Sequence, residues 1–328
     1  MPPVPFALLS LLSDSRFHSG QALGAALGVT RSAVWKAMRV CAQHGIEIHS
    51  VRGKGYRLTQ KLDLLHEQAI RQNLETHAER LLTRLEIHAT LDSTSKHLLR
   101  MPDNESASGI ACLAESQHAG RGRHGRRWTS PFGANIYLSV LWRFAAGPAA
   151  LSGLSLAIGV AVLQALQAMG VRVCGLKWPN DILCEGRKLA GILLDIKGEA
   201  SGPSSAVVGI GVNVRMPEVA AMEIDQPWTD IYHVAAHVHS PPRNQIAAQL
   251  LGQVLIALDE FDHAGFAPFQ ERWMRWDCFA GRRVSLQLPT QTVQGRAHGI
   301  DERGALLLEV QGEVRAFTGG EVRLRAAS

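Results

Sequence analysis

Apolar positions between residues 20 and 43 recur at helical spacing in two runs, Leu23 and Leu27 in the first, Val34 and Met38 in the second, with Gly28 and Val29 between them. The pattern predicts two helices joined by a tight turn, Thr30 capping the second and Gly45 ending it. Upstream, "PFALLSLLS" is apolar but lacks the basic leader of a signal peptide and runs straight into the next element, so it is read as a first helix. Downstream the period changes to two. "IEIHSVRGKGYRL" alternates on both sides of Gly53, Lys54 and Gly55, which predicts a β-hairpin with a basic tip. Helix, turn, helix and hairpin make a winged helix over residues 1–62.

The middle of the chain predicts strands over 109–115, 135–144 and 171–178, a helix over 149–169, and two further strands in "KLAGILLDIKG" and "SAVVGIGVNV". This is a mixed sheet with a helix packed on it. Residues 144–171 carry no charge and are long enough to span a membrane, but their Ala, Ser and Gly, together with Gln164, Gln167 and the stop at Gly170, favour a buried helix and no membrane contact. An amphipathic helix over 243–262 and a shorter one in "PFQERWMRW" follow. From Arg282 onward short alternating segments predict a small antiparallel, SH3-like barrel. The fold class is therefore α/β (α+β), with expected domains 1–62, 63–278 and 279–328.

Composition narrows the chemistry. With 46% of its 328 residues hydrophobic, the chain is no disordered polyelectrolyte. Five scattered cysteines without a CxxC pair suggest free thiols in a reducing cytosol, hence a cytoplasmic protein. The histidines offer no HExxH; His233, His237 and His239 read as a solvated cluster, and no residue is assigned to a metal. The net charge of +5 equals the excess within residues 1–60, so a polyanion would meet this end first. Arg31, Ser32, Lys36 and Arg39 on the second helix and Lys54 at the hairpin tip suit DNA phosphates and base edges. A small helical domain that binds protein is the alternative, and charge and spacing favour DNA.

From Ser116 to Asn180 there is no Asp or Glu, yet six arginines and Lys177. Gly120, Gly122 and Gly125 spell GxGxxG, but Pro131 and Gly133 bar the helix that a dinucleotide fingerprint requires, and no acid follows before Asp181. The glycines instead let a flexible backbone approach a ligand, and guanidinium groups pair with phosphate or carboxylate oxygens. A phosphate-bearing small molecule under a closing loop is the expectation; a second nucleic-acid patch is the alternative. Ser93 and Thr94 in "LDSTSKHLL" open a short helix, where hydroxyls and free amides suit a polar ligand or plain capping. Lys177 in "KWPNDIL" leaves a strand beside a turn, as a snorkelling residue or a site cation, and the acid-free stretch before it favours the second.

"DSTS", "ESQHAGRGRHGRRWTSPFGANIYLS", "KWPNDI", "RKLAGILL" and "GIGVNV", in this order behind a winged helix, resemble the bifunctional biotin protein ligases that also repress the biotin operon. The resemblance runs end to end. It implies that biotin and ATP, with Mg2+, give biotinyl-5'-adenylate, that the biotinyl group passes to a lysine of the biotin carboxyl carrier protein of acetyl-CoA carboxylase, and that the adenylate-loaded homodimer binds operator DNA. It further implies biotin contacts from Ser93, Thr94, Ser95, Gln117, Arg121, Gly122, Arg123 and Lys177, with Lys177 and Arg123 at the reacting oxygens. The adenylate side would take Arg121, Arg123, Arg126, Trp128, Asn180, Lys188, Asn213 and Trp228, with Asn213 and the segment from Met216 to Trp228 near the adenine. The family pattern reads DSTN where this chain has Ser95. "GILLDIKGE" reads as a dimer edge, as in the family, or as a covered strand. A lipoate-type acyl ligase and a non-catalytic biotin-sensing DNA-binding regulator are the competing functions.

Overall fold

The computed structural model describes residues 5–43, 46–59, 62–102, 107–199, 202–235, 241–289, 291–318 and 323–326. Gly45, His237 and His239 lie outside them. At the N-terminus α1 (Phe6–Leu12), α2 (Gly20–Leu27) and α3 (Arg31–Gln43) precede a hairpin of β1 (Ile48–Val51) and β2 (Gly55–Leu58). Ser19 caps α2 by accepting from the Ala22 amide at 3.0 Å, and Gly28 ends it at φ 66°, a left-handed turn that costs glycine nothing. Thr30 caps α3 through the Ala33 amide at 3.2 Å. Leu8, Leu9, Leu12, Leu23, Val34, Met38 and Cys41 close a small core, so the apolar opening segment is a core helix.

The entry into the central unit is a buried polar knot. The guanidinium of Arg243 donates to Glu115 Oε2 at 2.8 Å and to the backbone carbonyls of Asp63 and Asn135. Glu115 Oε1 accepts from the Leu65 amide at 2.6 Å, and Asn244 donates to the Leu64 carbonyl at 2.8 Å. Residues 63–65 are therefore held by groups on two other elements.

Next come α4 (Glu67–Gln72), α5 (Thr76–Leu81), β3 (Arg84–His88), α6 (Thr94–Leu99), β4 (Ile110–Ala114), β5 (Ile136–Phe144), α7 (Leu154–Ala168), β6 (Cys174–Lys177), β7 (Asp181–Cys184), β8 (Arg187–Gly198) and β9 (Ser204–Val212). The seven strands form one sheet in the order β3-β4-β5-β9-β8-β7-β6, parallel only between β3 and β4. The short α8 (Glu218–Ala221) and α9 (Ile231–Val234) lead to α10 (Arg243–Ala264) and α11 (Ala267–Arg275). α7 and α10 pack together against the sheet. Strand alternation divides its faces: Ile136, Leu138, Val140, Val208, Ile210 and Val212 join the main core, while Cys112, Leu141 and Val207 join Leu98 of α6 in a separate cluster. The stretch 148–168, apolar and long enough to cross a membrane, is mostly buried inside the molecule.

Three expectations need correction. The helix expected from residue 149 begins at Leu154, because Gly153 at φ 81° breaks it from the single turn Pro148–Leu151. The strand expected from 171 begins at Cys174. The five free thiols are three: Cys174 and Cys184 sit directly opposite in the β6–β7 hairpin with Cα atoms 4.1 Å apart and form a disulfide, leaving Cys41, Cys112 and Cys278. A separation of ten residues hid that pairing because β7 is too short to show a period.

At the C-terminus β10 (Arg283–Gln287), β11 (Thr292–Ile300), β12 (Leu306–Val310), β13 (Glu313–Phe317) and β14 (Arg323–Ala326) form an antiparallel sheet in the order β13-β12-β11-β10-β14. Val284, Leu286, Ala297, Ile300, Leu306 and Leu308 extend the main core. The Trp178 indole donates to the Gly304 carbonyl at 2.9 Å.

Candidate active site

On the α6 face of the sheet, Ser139 stands opposite Gly209 and Tyr137 opposite Gly211, with Gly191 beside Gly211 on β8. The glycines make room. A Cβ at Gly209 would strike Ser95 Oγ, and one at Gly211 would strike the Trp128 ring. "GIGVNV" is thus the floor of a pocket whose walls are side chains from elsewhere.

Buried Ser93 caps α6 and accepts from the Lys96 amide at 3.4 Å. Thr94 donates its amide to Gln117 Oε1 at 2.9 Å, and its hydroxyl lies 2.8 Å from Ser139 Oγ. Ser95 Oγ reaches the same Ser139 at 3.0 Å, and Gln117 donates to Ser130 Oγ at 3.1 Å. Four of the expected residues therefore line one pocket, three of them joined by two serines, Ser139 and Ser130, that the motifs did not mark. Ser139 had a signal, a polar position in the middle of an otherwise apolar run.

The arginine-rich segment is a tight loop. The Gly122 amide donates to the Arg126 carbonyl at 2.7 Å and the Trp128 amide to the Gly120 carbonyl at 2.9 Å. Gly120 is required because a Cβ there would press on the backbone carbonyl of Trp128. Arg123–Gly125 is a single turn with His124 and Gly125 at positive φ, not the helix start of a dinucleotide fingerprint.

Its cations are not alone. Arg121 donates to Asp195 at 2.8 Å, and Arg123 to Asn180 Oδ1 at 3.3 Å. Lys177 and Lys188 flank Asp181, at 3.6 and 2.7 Å. Lys188 also lies over the Trp128 ring, 5.5 Å from its centroid. Burial lowers the pKa of Arg123 and of Lys177 from their ordinary values, and Asp181 opposes both shifts. The absence of acid along residues 116–180 is thus not an absence in space: Asp181, Glu223 and Asp225 line the pocket beside seven lysines and arginines, and Asp195 reaches in to Arg121. The excess remains positive. The pocket holds about 1150 Å³.

Trp128 Nε1 is a buried donor with no hydrogen-bond partner among the described residues. Asn213 is buried and donates to the Thr229 carbonyl at 3.0 Å, fixing the segment that brings Trp228 beside Lys188. Arg126 is exposed at the mouth. Outside the lining of this pocket, Arg31, Ser32, Lys36, Arg39 and Lys54 are all exposed on the winged helix, and the Arg39 guanidinium lies 5.1 Å from the ring centroid of exposed Trp35. His233 is paired with Asp230 at 2.6 Å.

Fold and pocket together define an enzyme class whose models match the chain in three places: the biotin/lipoate A/B protein ligase family over residues 87–213, the biotin protein ligase C-terminal domain over 279–325, and a helix-turn-helix domain over 6–57. The chain belongs to the biotin/lipoate A/B protein ligase family. It is 40% identical to the bifunctional ligase/repressor BirA of Escherichia coli, covering 99% of this chain and 98% of that one, and 32% identical to BirA of Bacillus subtilis, covering 97% of each. Among solved structures, the biotin protein ligase from Aquifex aeolicus in complex with biotin and ATP matches at TM-score 0.64 and 26% identity, covering 75% of this chain and all of that one.

Proposed function

We propose that this chain is a biotin protein ligase that also acts as a transcriptional repressor, working on biotin, ATP and the carrier protein of acetyl-CoA carboxylase in the cytoplasm. One observation carries the reading: a glycine-floored cavity large enough for two ligands, closed by an arginine loop and reached by Lys177. Relatives that it resembles are named as ligase/repressors, and a solved structure of similar fold holds biotin and ATP.

In this reading Ser93, Thr94, Ser95 and Gln117 receive the ureido end of biotin, where buried hydroxyls and an amide match a polar ring. The biotin carboxylate attacks the α-phosphorus of ATP; a carboxyl-to-phosphorus bond forms, the bond to pyrophosphate breaks, and an acyl phosphate anhydride remains. Two anions meet, so the transition state needs positive charge and no nucleophilic side chain. Lys177, Arg121 and Arg123 supply it, and Gly122 leaves its loop free to close over the anhydride and exclude water. Lys188, Trp128, Asn180, Arg126, Asn213 and Trp228 border the nucleotide, Trp128 offering its spare indole N–H. A carrier lysine then attacks the acyl carbon and AMP leaves.

Magnesium fits as an ion carried mainly by phosphates, since Asp181 is the carboxylate set between the two pocket lysines. Bound there it neutralises phosphate charge. Ser95 replaces the asparagine of the family pattern and, through Ser139, still offers a hydroxyl. The segment 193–198 of β8 has β9 on one side, β7 pairing only with Arg187–Gly191, so it is free to meet its twin in an adenylate-loaded homodimer. The exposed cations of α3 and Lys54 contact operator DNA. The boundaries at 62/63 and 278/279 separate the reading head, the ligase and the terminal sheet.

Incubation with ATP, Mg2+, carrier protein and either biotin or lipoate tests the reading. Pyrophosphate release and carrier acylation with biotin alone are expected. Activity with lipoate instead, or effector binding without pyrophosphate, overturns it.

A further inference from the structure

Outside the pocket, Glu86, His88, His97 and Cys112 gather their ligand atoms within 4.8 Å of one another. They come from three elements. Glu86 and His88 lie two apart on β3 and so share a face. Cys112 stands directly opposite Glu86 on β4, and His97 descends from the last turn of α6. His97 Nε2 and His88 Nε2 lie 2.6 and 3.3 Å from the same oxygen, Glu86 Oε2, and the two imidazoles sit 4.7 Å apart. Glu86 Oε1 faces Arg84 Nε at 3.3 Å.

We propose that these four residues form a site for a divalent transition metal, zinc in the first instance. The donor set is two imidazole nitrogens, one thiol sulfur and one carboxylate oxygen, the types zinc takes in four-coordinate sites. Zinc bonds of about 2.0–2.3 Å place tetrahedral ligand atoms roughly 3.3–3.8 Å apart, so side-chain movements of the order of 1 Å close the cluster on an ion. On binding, the Cys112 thiol releases its proton to water and a metal–sulfur bond forms; thiolate and carboxylate together neutralise the ion. The two histidines and Glu86 are half-buried, which leaves a way in from solvent, while Cys112 is buried and shields the metal–sulfur bond.

The position gives the site a consequence. Cys112 is directly opposite Glu86 on one side and Ser139 on the other, and Ser139 holds the hydroxyls of Thr94 and Ser95. His97 belongs to the same short helix as those two residues. A metal here ties that helix to the sheet at its far end, so the ion stabilises the wall of the pocket without entering it.

Cobalt(II) substitution of the full chain tests this independently of any ligase assay. One equivalent of cobalt per chain, with a thiolate-to-cobalt charge-transfer band and tetrahedral visible absorption displaced by zinc, is expected. Cys112→Ser should abolish the charge-transfer band, and His97→Gln, a change at a half-exposed position, should weaken zinc binding at least about tenfold in a chelator competition, since loss of even an outer-shell partner of a ligand costs about that much. Absence of the band in the unmodified chain, or a band unchanged in Cys112→Ser, overturns the proposal, since Cys41 and Cys278 would then account for any thiolate.

Discussion

Arg31, Lys36 and Lys54 of the winged helix are exposed and enter no ion pair among the described residues, whereas Arg121, Lys177 and Lys188 of the pocket each already face a carboxylate. The same side-chain types are used in two ways. The first set waits in water and, in the proposed reading, would gain on binding chiefly by releasing counterions from a polyanion, so its contacts would be strong at low salt and weakly selective. The second set is preorganised by Asp195 and Asp181, and an incoming anion must replace or share those partners. Such exchange favours a ligand of matching shape and charge.

The largest effect should come from the buried knot at the entry into the central unit. Arg243→Ala leaves buried Glu115 without its cation, and is expected to lower stability by about 3–5 kcal/mol in urea unfolding; an unchanged midpoint would mean the pair does not hold the central unit together. Lys177→Ala should reduce adenylate formation roughly 10²–10³-fold with the circular dichroism unchanged. Near-normal pyrophosphate release would remove Lys177 from the chemistry. Because burial lowers the Lys177 pKa, its ammonium is lost on the alkaline side before the usual 10.5, and adenylation should fall there with it. In a pH series, a rate flat up to 10.5 contradicts that assignment.

Gly211→Ala sharpens the contrast from the floor. The added methyl meets the Trp128 ring, and overpacking of this kind costs about 1–3 kcal/mol. Isothermal titration should show weaker nucleotide binding with the circular dichroism unchanged. Smallest is Lys36→Ala, expected to lower the slope of log affinity against log salt by about 1 in a DNA titration and to leave ligation untouched. A loss of ligation in that variant would erase the distinction between the regions.

The two regions also differ in how they could be read from the chain. The winged helix was legible because its information is local: Leu23, Val34 and Met38 announce their faces by period, and Gly28 and Thr30 mark the turn between them. The arginine loop, "KWPND" and the glycine pair were legible as motifs, and the structure brings them to one cavity. What could not be read is what depends on strands meeting far apart in sequence. Asp195 lies 74 residues from Arg121, and nothing near either reports the pair. β3 and β7 are too brief to show alternation, which concealed the Cys174–Cys184 crosslink and the meeting of His88 and His97 with Cys112. Ser139 alone left a trace.

The Trp178 indole fastens the turn between Lys177 and Asn180 to the carbonyl of Gly304, and Ser152 fastens the other side of that contact to the Arg303 carbonyl. Genetic screens that score only product would therefore misfile damage in the last fifty residues as a chemical defect. Loosening the far sheet would release the turn on which Lys177 is mounted, so a lesion there would imitate one at the lysine itself.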